Sequence, residues 1–260
     1  MAPKCPAIAG TSLSHNRWYL ADTDNNTLNR ILEQPDRFAD ITKKIFKGSS
    51  TGNDTIFLLD LLKRGKKTSV FYSAVINGKI TLENDLLVPF LYGEDVRRYS
   101  ISETTKYLLF PYQAGARGME LIQSKEMAQK YPQVFAYLSQ CKKLLLKRKV
   151  KLTSKNFYRY SAARSLNDYG KPKIMIPDML VSLRVGYDSE GCFYHGPAIH
   201  SVAFKDLPKG VNEKFYLGIL NSKVFWFFIS NTSTALRGDT YRLTPEYINS
   251  FCFPRPLVRF

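Results

Sequence analysis

The pair Asn77-Gly78 restricts what this chain can fold into more than any other short feature. It stands between Ser69 to Ile76 and Lys79 to Leu82, two runs with strand character, and Asn and Gly tolerate the positive φ angles of a two-residue hairpin turn. Sheet is therefore the predicted material of this region. Further strands are predicted at Ile56 to Leu62, at Tyr107 to Tyr112 where Pro111 ends the run, at Lys173 to Pro177, and through Val181 to Phe204 around Glu190-Gly191.

The period changes between Ser124 and about Lys151. Tyr131, Val134, Phe135, Leu138, Cys141 and Leu145 recur at helical steps, and Pro132 suits a first helical turn. One long basic helix over about 125–150 is the expectation. Phe215 to Ile229 reads as an apolar helix interrupted at Asn221-Ser222-Lys223, and Thr27 or an adjacent Asn is the expected N-cap of a short helix through Leu28, Ile31 and Leu32. The first 16 residues read as a leader, Trp18-Tyr19-Leu20 as an apolar anchor, and Pro254 as the close of the fold. With 44% hydrophobic residues in 260, and neither repeat nor low-complexity linker, one α+β domain is expected, with a division near residue 120 as the alternative.

Charge narrows the partner. Lys plus Arg number 38 against 22 Asp plus Glu, a net +16 that attracts a polyanion, with nucleic acid first among the candidates. The excess is concentrated: from Met127 to Asn167 there is no acid, but there are Lys130, Lys142, Lys143, Lys147, Arg148, Lys149, Lys151, Lys155, Arg159 and Arg164. Cations also complement a helix C-terminus, so a solvated helix end competes with phosphate binding for Lys142 to Lys149. The run continues into Phe157-Tyr158-Arg159-Tyr160, where aromatics between cations suit bases and sugars. Arg97-Arg98, Gln113 with Arg117, and Arg237 with Arg242 are candidates for base contacts, because Arg forks onto guanine and Gln onto adenine.

Other chemistries find few parts. The longest apolar stretch, near Phe225 to Ile229, is far below the roughly 20 residues of a membrane span, and Met1 to Gly10 has no signal-peptide core, so a soluble cytoplasmic chain without membrane association is expected. Cys5, Cys141, Cys192 and Cys252 are scattered and read as reduced thiols. Cys192, His195 and His200 raise zinc but lack a fourth ligand, so no metal is expected. No acid stands two residues before a Lys, as a PD-(D/E)xK nuclease requires, and there is neither a glycine-rich S-adenosylmethionine loop nor an Asn/Asp-Pro-Pro-Tyr/Phe segment. Phe110-Pro111-Tyr112 lacks the leading acid or amide of that segment.

A small-residue turn, Gly48-Ser49-Ser50-Thr51-Gly52-Asn53-Asp54, lies between Ile45-Phe46-Lys47 and Ile56-Phe57. Alone it suits any tight loop. Together with Leu87 to Tyr99 (LVPFLYGEDVRRY), Tyr107 to Tyr112, the Tyr131-Pro132 helix ending Leu146-Lys147-Arg148, Tyr158 to Leu166, Lys171 to Ile174, Leu217 to Ser222, Arg237-Gly238 and Phe253-Pro254, it resembles the TaqI-like C-terminal specificity domain of N6-adenine DNA methyltransferases and fused restriction-modification enzymes. The resemblance implies a target-recognition domain over 41–258 with a mixed or antiparallel curved sheet, and a leader and short helix over 1–40 that link to a catalytic domain absent here. It implies a non-catalytic module whose partners are double-stranded DNA and a methyltransferase domain in cis or in trans, with no cofactor of its own and S-adenosylmethionine held by the parent. Ser49, Ser50, Thr51 and Asn53 join the basic candidates as DNA-contacting residues. A catalytic nuclease or transferase with an unrecognised site, and a basic scaffold for RNA or protein, are the alternatives.

Overall fold

A computed structural model describes residues 25–256. The leader, the Trp18-Tyr19-Leu20 anchor and Cys5 lie outside the described residues. The chain forms two compact units, one containing residues 25–43, 179–183 and 204–256, the other residues 44–178 and 184–203. Residue 120 lies inside the second and larger unit.

The larger unit is built on a six-stranded sheet in the order Tyr194–His195, Leu87–Leu91, Lys106–Leu109, Leu58–Lys63, Thr68–Ser73, Gly78–Glu83. The first pair is parallel and the rest antiparallel, so the sheet is mixed. A four-stranded sheet runs Gly186–Asp188, Lys173–Pro177, Ile199–Phe204, Thr42–Lys47, and Tyr112–Gly115 pairs with Gly118–Leu121 as a hairpin. Along Thr68–Ser73 alternate residues are buried, so Ser69, Phe71 and Ser73 face the core. The predicted hairpin exists with a wider turn: Ser73 pairs with Gly78, four residues connect them, and Asn77 takes the left-handed φ of +53° while Gly78 joins the strand. Ile56 and Phe57 belong to a single helical turn, Asp54–Phe57, and the strand begins only at Leu58.

Three short helices, Ser124–Lys130, Pro132–Gln140 and Lys142–Leu146, replace the long basic helix expected over 125–150. The first break is at Tyr131, with φ −133° and ψ 60°, because the ring of Pro132 disfavours helical backbone in the residue before it. The second is at Cys141, where ψ opens to −1°. The side-chain periodicity survives both breaks: Met127, Val134, Tyr137, Leu138, Cys141 and Leu145 are buried in the same core as Ile56, Phe71 and Leu82. Each fully buried large apolar side chain there contributes about 1.5–3 kcal/mol. Tyr137 Oη donates to Ile56 O at 2.8 Å, and the Glu83 carboxylate accepts from the N–H groups of Gln133 and Val134 at 2.9 Å each, satisfying the start of the central helix.

In the smaller unit Asp36–Arg37 pairs antiparallel with Cys252–Phe253, and Met179–Leu180, Thr240–Arg242 and Ala235–Leu236 form a second sheet. Residues read as a linker thus share a sheet with the C-terminal segment. Helices Glu213–Leu220 and Lys223–Thr232 are separated where the sequence predicts, with Ser222 Oγ accepting from Phe225 N at 3.3 Å as N-cap. Thr27 is not a cap; it lies within the helix Asn25–Leu32. Phe38, Tyr216, Phe251 and Phe253 form an aromatic core with neighbouring ring centroids 4.9–5.6 Å apart. Among the described residues no helix is long and apolar enough to cross a membrane.

Candidate nucleic-acid interface

The turn at 48–53 is where distant parts of the larger unit meet. A Cβ on Gly48 would lie 1.8 Å from His195 O, and one on Gly52, at φ +81°, would lie 1.7 Å from Ser161 Oγ. Both positions require glycine for space, and Gly52 for conformation as well. Ser49 N–H donates to Tyr169 Oη at 2.8 Å, and that hydroxyl donates onward to His195 O at 3.1 Å. Burial pushes Tyr169 up to about 12, so it stays a protonated donor at neutral pH. Ser49 Oγ donates to Arg164 O and accepts from Arg164 N–H, each at 3.0 Å, and Ser50 exchanges two 3.0 Å backbone bonds with Ala162. Thr51 Oγ1 donates to Asp54 Oδ1 and accepts from Asn53 N–H, while Thr55 Oγ1 donates to Asn53 Oδ1.

Arg148 anchors the turn. Its Nη1 donates to Thr51 O at 2.6 Å, Nη2 to Phe157 O at 2.5 Å and Nε to Leu145 O at 2.9 Å, with the guanidinium 5.6 Å from the centroid of the Phe57 ring. One cation thus joins the turn, the last of the three helices and the aromatic segment. Partial burial lowers its pKa from the ordinary Arg value. The sequence marks Arg148 as one charge in a basic run and as the close of the Tyr131-Pro132 helix block; its neighbours Lys147 and Lys149 remain exposed.

Two concavities open beside the turn. Gly52, Asn53, Leu144, Lys147, Arg148, Lys149, Val150 and Ser161 line one of about 570 Å³, with no acid in its lining. The other, about 380 Å³, is lined by Ser49 to Asp54 with Phe90, Leu108, Gly196 and Pro197. Ser49, Ser50, Thr51, Asn53, Lys147 and Lys149 are therefore brought together. Because the helix ends at Leu146, Lys147 and Lys149 project from the loop beyond it.

The remaining candidates are dispersed. Lys142 Nζ sits 5.1 Å from the centroid of the Phe157 ring, Lys143 and Lys155 are exposed, and Arg159 donates from Nη2 to Lys151 O at 3.4 Å. The Arg164 side chain is exposed while its backbone clamps Ser49. Gln113 is committed elsewhere, donating to Glu126 Oε2 at 3.0 Å, and Arg117 is exposed near the tip of the 112–121 hairpin. Arg97 Nε donates to Ser102 Oγ at 3.1 Å, and Arg98 lies over the ring of Tyr99. Asp95, close in sequence to these cations, turns back to accept from Tyr92 N–H at 2.7 Å. Arg237 and Arg242 are exposed on the smaller unit, at a turn with Gly238 and Asp239 at positive φ and on the strand Thr240–Arg242.

Zinc finds no site in the Cys192, His195, His200 set. His195 is buried with one ring nitrogen against Gly196 O at 2.8 Å and the other against Ser201 Oγ at 2.6 Å, and His200 Nε2 faces Asp178 Oδ1 at 3.0 Å. Among the described residues no cluster of three such ligands occurs. Sequence reasoning missed a buried ion pair, Lys173 Nζ to Asp188 Oδ2 at 2.6 Å. Tyr169 O also accepts from this Lys, and the Asp carboxylate accepts from the N–H groups of Cys192 and Phe193. Its one trace in sequence is a Lys within the otherwise apolar strand Lys173–Pro177.

The chain is 24% identical over 214 residues to the type II methyltransferase M.BstVI of Geobacillus stearothermophilus, a match covering 82% of this chain and 33% of that protein. The chain thus spans about a third of that relative's length. The type IIL restriction-modification enzyme MmeI, solved in complex with DNA, superimposes with a TM-score of 0.50 at 16% identity over 86% of this chain and 27% of its own, a likeness of fold. The family model of the TaqI-like C-terminal specificity domain matches residues 88–253, from the strand after the first hairpin to the last strand, with the 48–53 turn ahead of it. With more than half of its length matched by that model, the chain belongs to the TaqI-like C-terminal specificity domain family.

Proposed function

We propose that this specificity domain docks duplex DNA and sets the target site of an N6-adenine methyltransferase in a restriction-modification system. The observation that carries the reading is the acid-free concavity beside the 48–53 turn, in a chain of net charge +16 that belongs to a specificity-domain family. Lys147 and Lys149 meet phosphates, which supplies affinity and register without sequence information. Gly48 and Gly52 let the turn close against His195 and Ser161, and exposed Arg side chains, with Arg97, Arg117, Arg164 and Arg237 first among them, supply base contacts.

The chain itself performs no methyl transfer in this reading. The turn is unsuited to cradle S-adenosylmethionine, because the N–H groups of Ser49, Ser50 and Asn53 already donate to Tyr169, Ala162 and Thr51. The methyl donor belongs to a catalytic domain joined in the same polypeptide or as a separate chain. Fluorescence anisotropy with labelled duplexes, titrated with salt and repeated with S-adenosylmethionine, tests this. Binding whose logarithm falls linearly with log salt, indifferent to S-adenosylmethionine, is expected. Tighter binding to A-form RNA than to duplex DNA, or methyl transfer by the chain alone, contradicts it.

A further inference from the structure

We propose that Tyr99 is a base-stacking residue, its ring held out on a rigid turn to pack against a base of the bound duplex; this rests on the DNA-recognition reading above. Val96, fully buried, forms an isolated antiparallel bridge with Ile101. The four residues between them, Arg97 to Ser100, make the tip of a narrow loop closed by Arg97 N–H to Ser100 O at 2.9 Å. Tyr99 stands in this tip at φ +68°, a conformation that bulky L residues rarely adopt.

The surrounding structure imposes that conformation, since Tyr99 N–H donates to Val185 O at 2.9 Å. The other positive-φ positions among the described residues are glycines or Asn77, Ser165 and Asp239, whose side chains are small and polar. Tyr99 alone among them places an aromatic ring at a strained site, where glycine would relieve the strain. Strain of this kind is found where function holds it.

The ring faces solvent over about half of its surface, with Tyr99 49% exposed. It pairs with Arg98, whose guanidinium lies 5.2 Å from the ring centroid with Nη2 3.4 Å from the hydroxyl. The other large exposed aromatic among the described residues, Tyr92, instead packs edge-on against Phe90. An aromatic plane with a cation on it, beside a second guanidinium at Arg97 held by Ser102, combines a stacking platform with a donor fork for a neighbouring base. Sequence reading takes Arg97 and Arg98 as readers; the geometry adds Tyr99 to them.

The experiment uses the full chain and a duplex enriched from a random pool by binding to it, with the adenine analogue 2-aminopurine placed in turn at each adenine and its neighbours. Wild type should change the analogue's fluorescence at one step. Tyr99→Gly should abolish that change and weaken binding to the selected duplex by about ten- to hundredfold, the range for losing one base–aromatic stack, with non-specific affinity and salt slope kept. Tyr99→Phe and Tyr99→Trp should retain the signal. Because Tyr99→Gly also removes the left-handed strain, its resistance to urea should equal or exceed wild type, which separates a missing stack from a failure to fold. An unchanged signal and affinity in Tyr99→Gly, or no fluorescence change in a wild type that binds the duplex, overturns the stacking role alone. A wild type that binds no duplex overturns the DNA reading and the stacking role with it.

Discussion

Replacing Arg148 with Met removes a guanidinium that donates to three carbonyls and leaves a stem of similar length over Phe57. Two acceptors keep another donor: Thr51 O has Ser161 N–H, and Leu145 O has Arg148 N–H. Removing the guanidinium bond to each of these costs about 1 kcal/mol, while Phe157 O, with no second donor among the described residues, costs about 1–3 kcal/mol. The sum is about 3–5 kcal/mol, concentrated where the turn meets the aromatic segment. Hydrogen exchange reads this locally: the amides of Ser50, Ser161 and Ala162, which form the bonds between the two segments, should lose about two to four decades of protection. Arg148→Lys keeps the charge but not the fork, so it should lose nearly as much. Unchanged protection in both variants refutes the view that Arg148 holds the turn, and returns it to the status of one more surface cation.

Lys147→Gln with Lys149→Gln should weaken binding equally on all sequences and lower the salt slope by about 0.9 for each phosphate no longer neutralised; an unchanged slope, measured by anisotropy, removes them from the interface. Lys173→Met strands a buried carboxylate and should cost about 3–5 kcal/mol in urea unfolding. Lys173→Met with Asp188→Asn, which removes the charge and keeps an acceptor for the Cys192 and Phe193 N–H groups, should recover part of it; equal losses argue against the pair. Burial holds His195 at about 4, below its ordinary 6.5. Above pH 6.5 the ring is neutral whether folded or unfolded, but between 6.5 and about 4 the unfolded chain takes a proton that the folded one refuses. Stability should therefore fall with acid, by about 3 kcal/mol across that window. Urea midpoints at pH about 7.5 and about 5 should show a smaller acid loss in His195→Gln than in wild type, and equal losses would discount the histidine.

Signals carried by a few adjacent residues were legible in sequence. The Asn77-Gly78 hairpin, the strand Lys173–Pro177 and the paired helices divided at Ser222 follow from turn chemistry, apolar runs and capping. The helix over 125–150 misled because side-chain period persists through backbone breaks: Tyr137, Cys141 and Leu145 keep one buried stripe although Tyr131 leaves helical geometry and the helix is interrupted at Cys141. The effect of Pro132 on Tyr131 was the available warning. For the candidate site, charge in the acid-free interval and the small-residue turn pointed to neighbouring surfaces. Which cations stay exposed depended on partners far away in sequence. Arg148 meets Thr51, 97 residues away, and its charge alone does not separate it from Lys147 or Lys149.

Target choice is the central claim, and exchanging this chain for the corresponding region of a related adenine methyltransferase, then sequencing the methylated adenines, tests it most directly. The account predicts a chimera that methylates a new target, with Arg97→Ala, Arg117→Ala, Arg164→Ala or Arg237→Ala relaxing choice at single base pairs and costing about 1–3 kcal/mol where a guanine is read. An active chimera that keeps the original target contradicts it.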